Sequence, residues 1–274
     1  MLQRTIPSSG ETIPVIGLGS WKKFDVGDHA SERKDLTKIL QLMDQHNATV
    51  IDSSPMYGRS EQVIGELTAE TGLADKFFYA TKVWTSGREE GIQQMNASFH
   101  KLKRKVVDLM QIHNLVDWQI HLKTLRQWKA EGLIRYIGIT HYTTSAHPEL
   151  VRIMEKESLD FVQVNYSIAT RNAEKRLLPL ALDKGVAVII NEPLEKGGVF
   201  GKVKRKSLPP WAVELGIHSW AGFFLKYIIS HPAITCVIPA TSDPLHMGDN
   251  IAAGEGNLPG EYDRKKMVDL YEKL

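Results

Sequence analysis

The chain has 274 residues, of which 42% are hydrophobic and 24% are charged, as is usual for a globular protein. Its formal net charge of +2 forms no dominant basic stripe, so nucleic acid is not an expected partner. No apolar run approaches the roughly 20 residues of a membrane span, and the N-terminus lacks the apolar core of a secretory signal. We therefore expect a soluble, cytoplasmic protein with no membrane partner.

A single cysteine, Cys236, excludes an intramolecular disulfide and fits a reducing compartment. It lies in the apolar run 235–238, which favours an inert buried thiol over a nucleophile. No exposed apolar helix face is evident in the pattern, which favours a monomer.

Beyond a predicted hairpin over 5–14, short apolar runs alternate with segments of helical period along the chain. The predicted strands are 15–19, 49–52, 77–81, 107–112, 134–139, 161–164, 186–190 and 235–238. The predicted helices are 30–46, one from Ser60, 88–103, 117–130, 145–156, 173–184, 211–229 and 244–253, with an extra C-terminal helix after Pro259.

This alternation of eight strands with helices predicts an α/β fold with a parallel sheet and helical crossovers. Eight units in a chain of this length predict a closed (β/α)8 TIM barrel, which commonly needs about 250 residues. The N-terminal β-hairpin and the extra C-terminal helix would be additions to it. No linker or low-complexity tract interrupts the pattern, so we expect one domain over 1–274. An open, doubly wound sheet is the weaker alternative.

Ionisable residues of different chemistry follow neighbouring strands of the predicted barrel. The second strand ends at Asp52, with Tyr57 five residues later, while the third ends at Lys82 and the fourth at His113. Each residue alone has an ordinary structural explanation, such as a helix cap, a solvated lysine or a packed histidine. Because barrel chemistry sits at the C-terminal ends of the strands, we expect the four side chains to meet at one mouth.

Together, these four groups suit proton donation to a carbonyl. The ordinary pKa of a tyrosine is about 10, and a nearby ammonium is expected to lower it by stabilising the phenolate. Asp52 would keep Lys82 charged and in place, and His113 can orient a carbonyl oxygen beside the phenol. The combination predicts a proton donor for aldehyde or ketone reduction once a hydride arrives.

Several motifs at barrel-strand spacing resemble the aldo-keto reductase family over essentially the whole chain. They are 16–21, 52–61, 81–84, 108–113, 137–140, 163–166 and 238–242. The resemblance implies reversible reduction of a small-molecule carbonyl substrate by a nicotinamide cofactor. It also implies a catalytic tetrad of Asp52, Tyr57, Lys82 and His113, with Tyr57 as the general acid.

The segment Gly17-Leu18-Gly19 fails as a dinucleotide fingerprint, because the third glycine is absent. The resemblance instead implies a cofactor that lies extended over the barrel mouth, with Gln163 bonding its carboxamide. The residues that the resemblance places beside it are Gly19, Ser20, Trp21, Asp52, Thr140, His141, Gln163, Asn191, Pro193, Leu194, Gly197, Thr241, Ser242, His246, Asp249 and Asn250.

Two departures from the family pattern concern this cofactor site. Asn191 stands where many members place an aromatic ring, and Ala240 and His246 stand where lysine and arginine often bind a 2′-phosphate. Thr241, Ser242 and the N-terminus of the following helix remain as phosphate ligands. Family habit favours NADP(H) over NAD(H).

The loop after the seventh strand, 193–206, is rich in glycine and basic residues. It is either a solvated surface loop or a flap over the cofactor pyrophosphate, where glycines permit close backbone approach. For the run 202–206 both alternatives stay open, whereas Leu194 and Gly197 favour the flap.

For the substrate, the resemblance implies an apolar and partly aromatic pocket, with core packing as the alternative for each residue. Asn114 stands where many members have tryptophan, and the short C-terminal segment indicates an open, permissive site. The residues expected to contact the substrate are Trp21, Met56, Trp84, His113 and Tyr166.

Two other functions compete with carbonyl reduction. A metal-dependent barrel hydrolase often uses a His-x-His pair, and none of the ten histidines forms one, so we expect no metal site. A barrel that binds a nicotinamide cofactor to sense redox state or regulate a partner, with little turnover, remains the alternative.

Overall fold

The structure is a computed structural model that describes residues 1–274. It opens with the predicted hairpin, in which β1 (Gln3–Thr5) pairs antiparallel with β2 (Thr12–Pro14). Ile6 and Ile13 from this hairpin are buried in the same apolar cluster as residues of the barrel interior. The hairpin therefore closes the N-terminal end of the barrel.

Eight parallel strands follow, each hydrogen-bonded to the next in chain order. They are β3 (Leu18–Gly19), β4 (Val50–Asp52), β5 (Phe78–Val83), β6 (Val107–His113), β7 (Ile134–His141), β8 (Phe161–Asn165), β9 (Ala187–Asn191) and β10 (Cys236–Val237). Bridges from Ile16 to Val237 and from Gly19 to Ala240 join the last strand to the first. The predicted (β/α)8 barrel is confirmed, and the open doubly wound sheet is wrong.

Apart from the segment 211–229, helices surround these strands at the predicted places, with short 3-10 turns before α5 and α6. They are α1 (Ala30–Gln45), α2 (Ser60–Glu70), α3 (Arg88–Lys101), α4 (Trp118–Ala130), α5 (His147–Lys156), α6 (Leu177–Lys184), α7 (Pro210–Glu214), α8 (Trp220–Ile229), α9 (Pro244–Ala253) and α10 (Glu261–Lys273). None of them combines the length and apolarity needed to cross a bilayer.

The single helix predicted over 211–229 is wrong, because α7 and α8 are separate. Gly216 adopts a φ of 72°, a left-handed conformation that favours glycine and interrupts a right-handed helix. Ser219 then caps the start of α8, its Oγ accepting a hydrogen bond from the Gly222 N–H at 2.8 Å.

Alternate strand residues face the barrel interior, and this period of two decides which polar groups reach the mouth. The interior is a buried apolar cluster of 12 residues: Ile6, Ile13, Val50, Phe78, Ala80, Leu109, Tyr136, Phe161, Ala187, Ile189, Cys236 and Ile238. A second cluster of 61 buried residues fills the space between the strands and the helices. Cys236 is therefore a buried thiol, as predicted, and burial raises its pKa.

Four polar residues each follow an interior residue by two positions, so their side chains point inward above the apolar cluster. They are Asp52, Lys82, Gln111 and Gln163.

A glycine in α2 permits close packing against the end of α3. A Cβ built on Gly65 would lie 2.1 Å from the Lys101 carbonyl oxygen, whereas one on Gly248 in α9 would meet no atom within 4 Å. We predict that Gly65→Ala lowers the free energy of unfolding by about 2 kcal/mol because the two helices must separate. Gly248→Ala is the matched control and should be neutral or stabilise by up to about 1 kcal/mol. Equal effects of the two substitutions in denaturant unfolding would contradict this packing.

Candidate active site

At the centre of the barrel mouth lies a buried ion pair. Lys82 is fully buried, and its Nζ donates hydrogen bonds to Asp52 Oδ2 at 2.5 Å and to the Ser53 carbonyl oxygen at 2.6 Å. Burial alone would lower the pKa of Lys82, but Asp52 and Tyr57 outweigh it and raise that pKa above its ordinary value. Lys82 is therefore an ammonium at neutral pH.

Two glutamines hold the other oxygen of the Asp52 carboxylate. Gln111 Nε2 and Gln163 Nε2 donate to Asp52 Oδ1 at 3.0 and 2.8 Å, and Thr140 Oγ1 donates to Gln163 Oε1 at 3.2 Å. The Gln163 amide therefore has protein partners at both ends, since its Nε2 also donates to Gln111 Oε1 at 3.3 Å and its Oε1 also accepts from Asn191 Nδ2 at 3.5 Å. Gln111 was not among the predicted site residues, although it precedes His113 by two positions on the same face of β6.

Tyr57 lies on a turn just beyond the ion pair. The Tyr57 N–H donates to the Ser54 carbonyl oxygen at 3.0 Å, and Gly58 takes a left-handed φ of 59° directly after the tyrosine. Lys82 Nζ lies 4.9 Å from the centre of the Tyr57 ring. As expected, Lys82 acts to lower the pKa of Tyr57, but the net shift of that pKa is upward. Burial raises that pKa by more than Lys82 lowers it, so the phenol stays protonated at neutral pH.

His113 faces Tyr57 across the mouth. The two rings meet edge to face with their centres 5.9 Å apart, and His113 Nδ1 lies 3.0 Å from Ser54 Oγ. Burial, with a further contribution from the charge of Lys82, lowers the pKa of His113 to about 2. The imidazole is therefore neutral and can bond a carbonyl oxygen without carrying charge.

These residues lie at one end of a cavity of about 1120 Å³, larger than most small-molecule sites. Asp52, Tyr57 and His113 line it, while Lys82 lies beneath its floor. Most of the predicted cofactor residues line it as well: Gly19, Ser20, Trp21, Asp52, Thr140, Gln163, Asn191, Pro193, Leu194, Gly197, Thr241, His246, Asp249 and Asn250. Of the predicted substrate residues, Trp21, Met56, Trp84 and His113 line it.

Besides Lys82, three predicted site residues lie outside this cavity. His141 follows the inward-facing Thr140 by one position, so its side chain points away from the barrel interior. Its ring stacks on Tyr142 with ring centres 5.4 Å apart, and its Nδ1 accepts a hydrogen bond from the Thr143 N–H. Ser242 is exposed beyond the wall. The cofactor contacts predicted for these two residues are therefore not supported by their positions.

The side chain of Tyr166 also points away from the barrel interior. It lies three positions after the inward-facing Gln163, so its ring enters the helical layer and is fully buried. Its hydroxyl bonds Glu174, Tyr227 and Arg264. The substrate contact predicted for Tyr166 is therefore not supported by its position.

Several cavity residues were not identified from the sequence. Lys196 is the most informative of them: its Nζ lies 2.8 Å from Glu192 Oε1, 5.4 Å from the centre of the Trp21 ring and 5.7 Å from that of Tyr142. No sequence signal distinguishes it from the other lysines of its loop. The others include Lys22, Lys23, Tyr142, Glu192, Phe200, Ser219, Trp220, Ala221, Ile238 and Pro239.

The loop after β9 is held in place by side chains at both ends. Glu195 Oε1 accepts hydrogen bonds from Ser167 Oγ at 2.6 Å and Thr170 Oγ1 at 2.5 Å. Lys202 and Lys206 donate to backbone carbonyl oxygens of α10 and the C-terminus. The basic run 202–206 therefore lies against the C-terminal segment and outside the cavity wall, whereas Leu194 and Gly197 line the cavity.

At the opposite end of the cavity, the start of α9 is already capped. Asp243 Oδ1 accepts a hydrogen bond from the Leu245 N–H at 2.8 Å, and Thr241 Oγ1 accepts one from the Asp243 N–H at 3.0 Å. His246 is exposed, with its Nδ1 3.9 Å from Asp243 Oδ2. This end therefore presents a carboxylate and a histidine where the sequence predicted free phosphate ligands.

Comparison with known proteins agrees with this geometry. The family model described as "Aldo/keto reductase family" matches residues 15–265. The chain belongs to the aldo/keto reductase family. Among similar curated members is the "Methylglyoxal reductase YeaE" of Escherichia coli K12, 29% identical over 267 residues and covering 94% of this chain and 92% of the relative.

Solved structures of other aldo/keto reductases share the fold. An aldo/keto reductase from Klebsiella pneumoniae in complex with NADP and acetate superimposes with a TM-score of 0.81 at 26% identity, covering 96% of this chain and 93% of that one. An aldo-keto reductase of the same organism in complex with NADPH gives a TM-score of 0.83 at 25% identity, covering 99% and 96%.

The buried ion pair generates a stability prediction. Asp52→Asn leaves the Lys82 ammonium buried without its counter-charge, so we predict a loss of about 3–5 kcal/mol in the free energy of unfolding. Adding Lys82→Met to the Asp52→Asn variant should restore most of that loss, since no buried charge remains. Denaturant unfolding of both single variants and the double variant measures the coupling. Additive losses in the double variant would contradict a direct pair.

Proposed function

We propose that the protein reversibly reduces aldehydes or ketones to alcohols with a nicotinamide cofactor, and that Tyr57 is the general acid. The observation that carries the proposal is a protonated Tyr57, with its ring centre 4.9 Å from Lys82 Nζ, across from a neutral His113. Asn191 Oδ1 is buried in the cavity wall without a hydrogen-bond partner, which fits an amide donor such as a nicotinamide carboxamide.

Each polar group has a separate task in this reaction. The nicotinamide, when bound, supplies a hydride to the carbonyl carbon. Tyr57 donates its proton to the carbonyl oxygen as negative charge develops there, and His113 orients that oxygen through its neutral ring. The fixed charge of Lys82 stabilises the Tyr57 phenolate that remains. In the direction of alcohol oxidation the phenolate takes the proton back.

Asp52 acts through Lys82. Its carboxylate keeps the buried amine charged, and the two glutamines on Oδ1 prevent it from turning away. Asp52 also lines the cavity, which supports the proposal that it lies near the nicotinamide ribose.

A substrate class follows from the cavity wall and the relatives. Trp21, Met56, Trp84 and Tyr142 line the outer cavity and are 37–47% exposed, so the outer cavity is apolar and wide. Three relatives carry the name methylglyoxal reductase. They are YeaE, an NADH-specific protein of Escherichia coli that is 27% identical over 238 residues, and DkgB of Yersinia pestis, 26% identical over 227 residues. We therefore propose small aldehydes, with methylglyoxal the first to be assayed.

For the cofactor, we propose NADP(H) with a small margin over NAD(H). The solved Klebsiella structures contain NADP or NADPH, which supports the phosphorylated form. The margin is small because Asp243 caps α9 and no lysine or arginine stands among the residues that line this end of the cavity, namely Ala240, Thr241, His246, Asp249 and Asn250.

The general acid can be tested by removing one oxygen atom. We predict that Tyr57→Phe lowers kcat for aldehyde reduction by a factor of at least about 10², the usual contribution of a positioned proton donor, while the dissociation constant for NADPH stays nearly unchanged. Stopped-flow absorbance and cofactor fluorescence measure the two quantities. A wild-type protein without turnover, and a Tyr57→Phe variant with no change, would support the cofactor-binding sensor instead.

The ionisation states predict a flat pH profile. His113, with a pKa of about 2, and Tyr57, with a pKa above 10, both stay in one form across the neutral range. We predict that kcat is constant between about pH 5.5 and about pH 8.5 and falls only when Tyr57 ionises in alkali. An acidic limb near pH 6.5 that is absent in His113→Gln would show that His113 titrates with its ordinary pKa.

Asp243 should weaken binding of a 2′-phosphate by charge repulsion. Asp243→Asn keeps the helix cap and removes the charge, so we predict that the dissociation constant for NADPH falls about threefold at low salt. NADH serves as the matched control, because it lacks the phosphate and should bind unchanged. Parallel shifts for the two cofactors in fluorescence titrations would contradict the role of Asp243.

A further inference from the structure

One buried serine contacts the catalytic histidine from the neighbouring loop. Ser54 is fully buried two residues beyond the end of β4. Its Oγ lies 3.0 Å from His113 Nδ1 and accepts a hydrogen bond from the Met56 N–H at 3.3 Å. These two contacts are all the hydrogen bonds of this hydroxyl in the structure.

The protons of these contacts can be counted. A serine hydroxyl has one proton to donate and two lone pairs that accept. The Met56 N–H can only donate, so Ser54 Oγ must accept there. If His113 Nδ1 also carried a proton, it would have to donate to the same oxygen, and the hydroxyl proton would be buried with no acceptor. A buried donor without a partner is unfavourable.

The opposite tautomer satisfies every group. With no proton on Nδ1, the Ser54 hydroxyl donates to His113 and still accepts from Met56. The neutral ring then carries its proton on Nε2, which has no partner in the protein. His113 lines the cavity, so the nitrogen free to bond a ligand is this one.

We propose that Ser54 is a positioning residue that fixes His113 in the tautomer with its proton on Nε2. The catalytic consequence rests on the proposed function: an Nε2–H donates to a carbonyl oxygen, whereas a bare nitrogen would repel it. The tautomer itself does not depend on any reaction. The Ser54 carbonyl oxygen also accepts from the Tyr57 N–H at 3.0 Å, so one residue fixes both the turn of the phenol and the tautomer of the imidazole.

The direct test is the long-range ¹⁵N–¹H NMR spectrum of the histidine rings. The His113 signals are identified by their loss in His113→Gln. We predict that wild-type His113 shows a protonated Nε2 and a bare Nδ1 at neutral pH. A protonated Nδ1 in the wild type overturns the proposal, whatever the variants do.

Ser54→Ala removes the donor to Nδ1. We expect its His113 signals to shift towards a mixture of tautomers, and kcat to fall about tenfold, as for the loss of one hydrogen bond, with the NADPH dissociation constant unchanged. Ser54→Thr keeps the hydroxyl and should retain the Nε2–H signal. Ser98→Ala, a buried serine on α3 away from the cavity, is the matched control and should change neither quantity.

The two proposals fail in different ways. Tautomer signals that change in Ser54→Ala, in a protein that reduces no carbonyl, would uphold the role of Ser54 and reject the reductase function. A Ser54→Ala variant that keeps both the Nε2–H signal and the wild-type kcat would overturn the role of Ser54 alone. If Ser54→Ala does not fold, the wild-type tautomer and Ser54→Thr still decide the proposal.

Discussion

The site depends on a lysine that is buried in the barrel with its charge. Removing an ammonium from water is costly, so Lys82 requires a carboxylate at 2.5 Å and a carbonyl oxygen at 2.6 Å. Asp52 in turn requires donors on its other oxygen, which Gln111 and Gln163 supply. The polar layer above the apolar interior of the barrel is therefore a single hydrogen-bonded network, so replacing one residue removes a partner from another.

This network also sets the charge of the groups that face the cavity. Burial, with a contribution from the Lys82 ammonium, keeps the His113 imidazole neutral. Burial also keeps Tyr57 protonated despite the nearby charge of Lys82. The sign of the Tyr57 shift could not be predicted from sequence, because it is the balance of desolvation against attraction to Lys82 at a particular distance. The outcome suits a general acid: the proton is present before the reaction, and the charge that stabilises the phenolate is fixed in advance.

The fold and most of the site could be predicted because barrel strands obey a period of two. Asp52 and Lys82 each lie two positions after an interior residue of their strand. Gln111 lies two positions before His113 on the same face of β6, so the same rule could have identified Gln111. His141 and Tyr166 lie at odd spacings from the interior residues, so the rule would have placed both side chains between the strands and the helices. The course of the loop after β9 is different: it depends on left-handed residues and on Glu195 contacts with a distant segment, which no local pattern contains.

The central claim is that the chain holds a neutral phenol beside a fixed ammonium. Alkaline titration of the wild type and Tyr57→Phe, followed by phenolate absorbance, isolates the ionisation of Tyr57 as the difference between the two curves. The account predicts that Tyr57 ionises above its ordinary pKa of 10, so that the phenol is fully protonated at neutral pH. A difference curve with its midpoint near or below about pH 8 would show a resting phenolate and contradict the account.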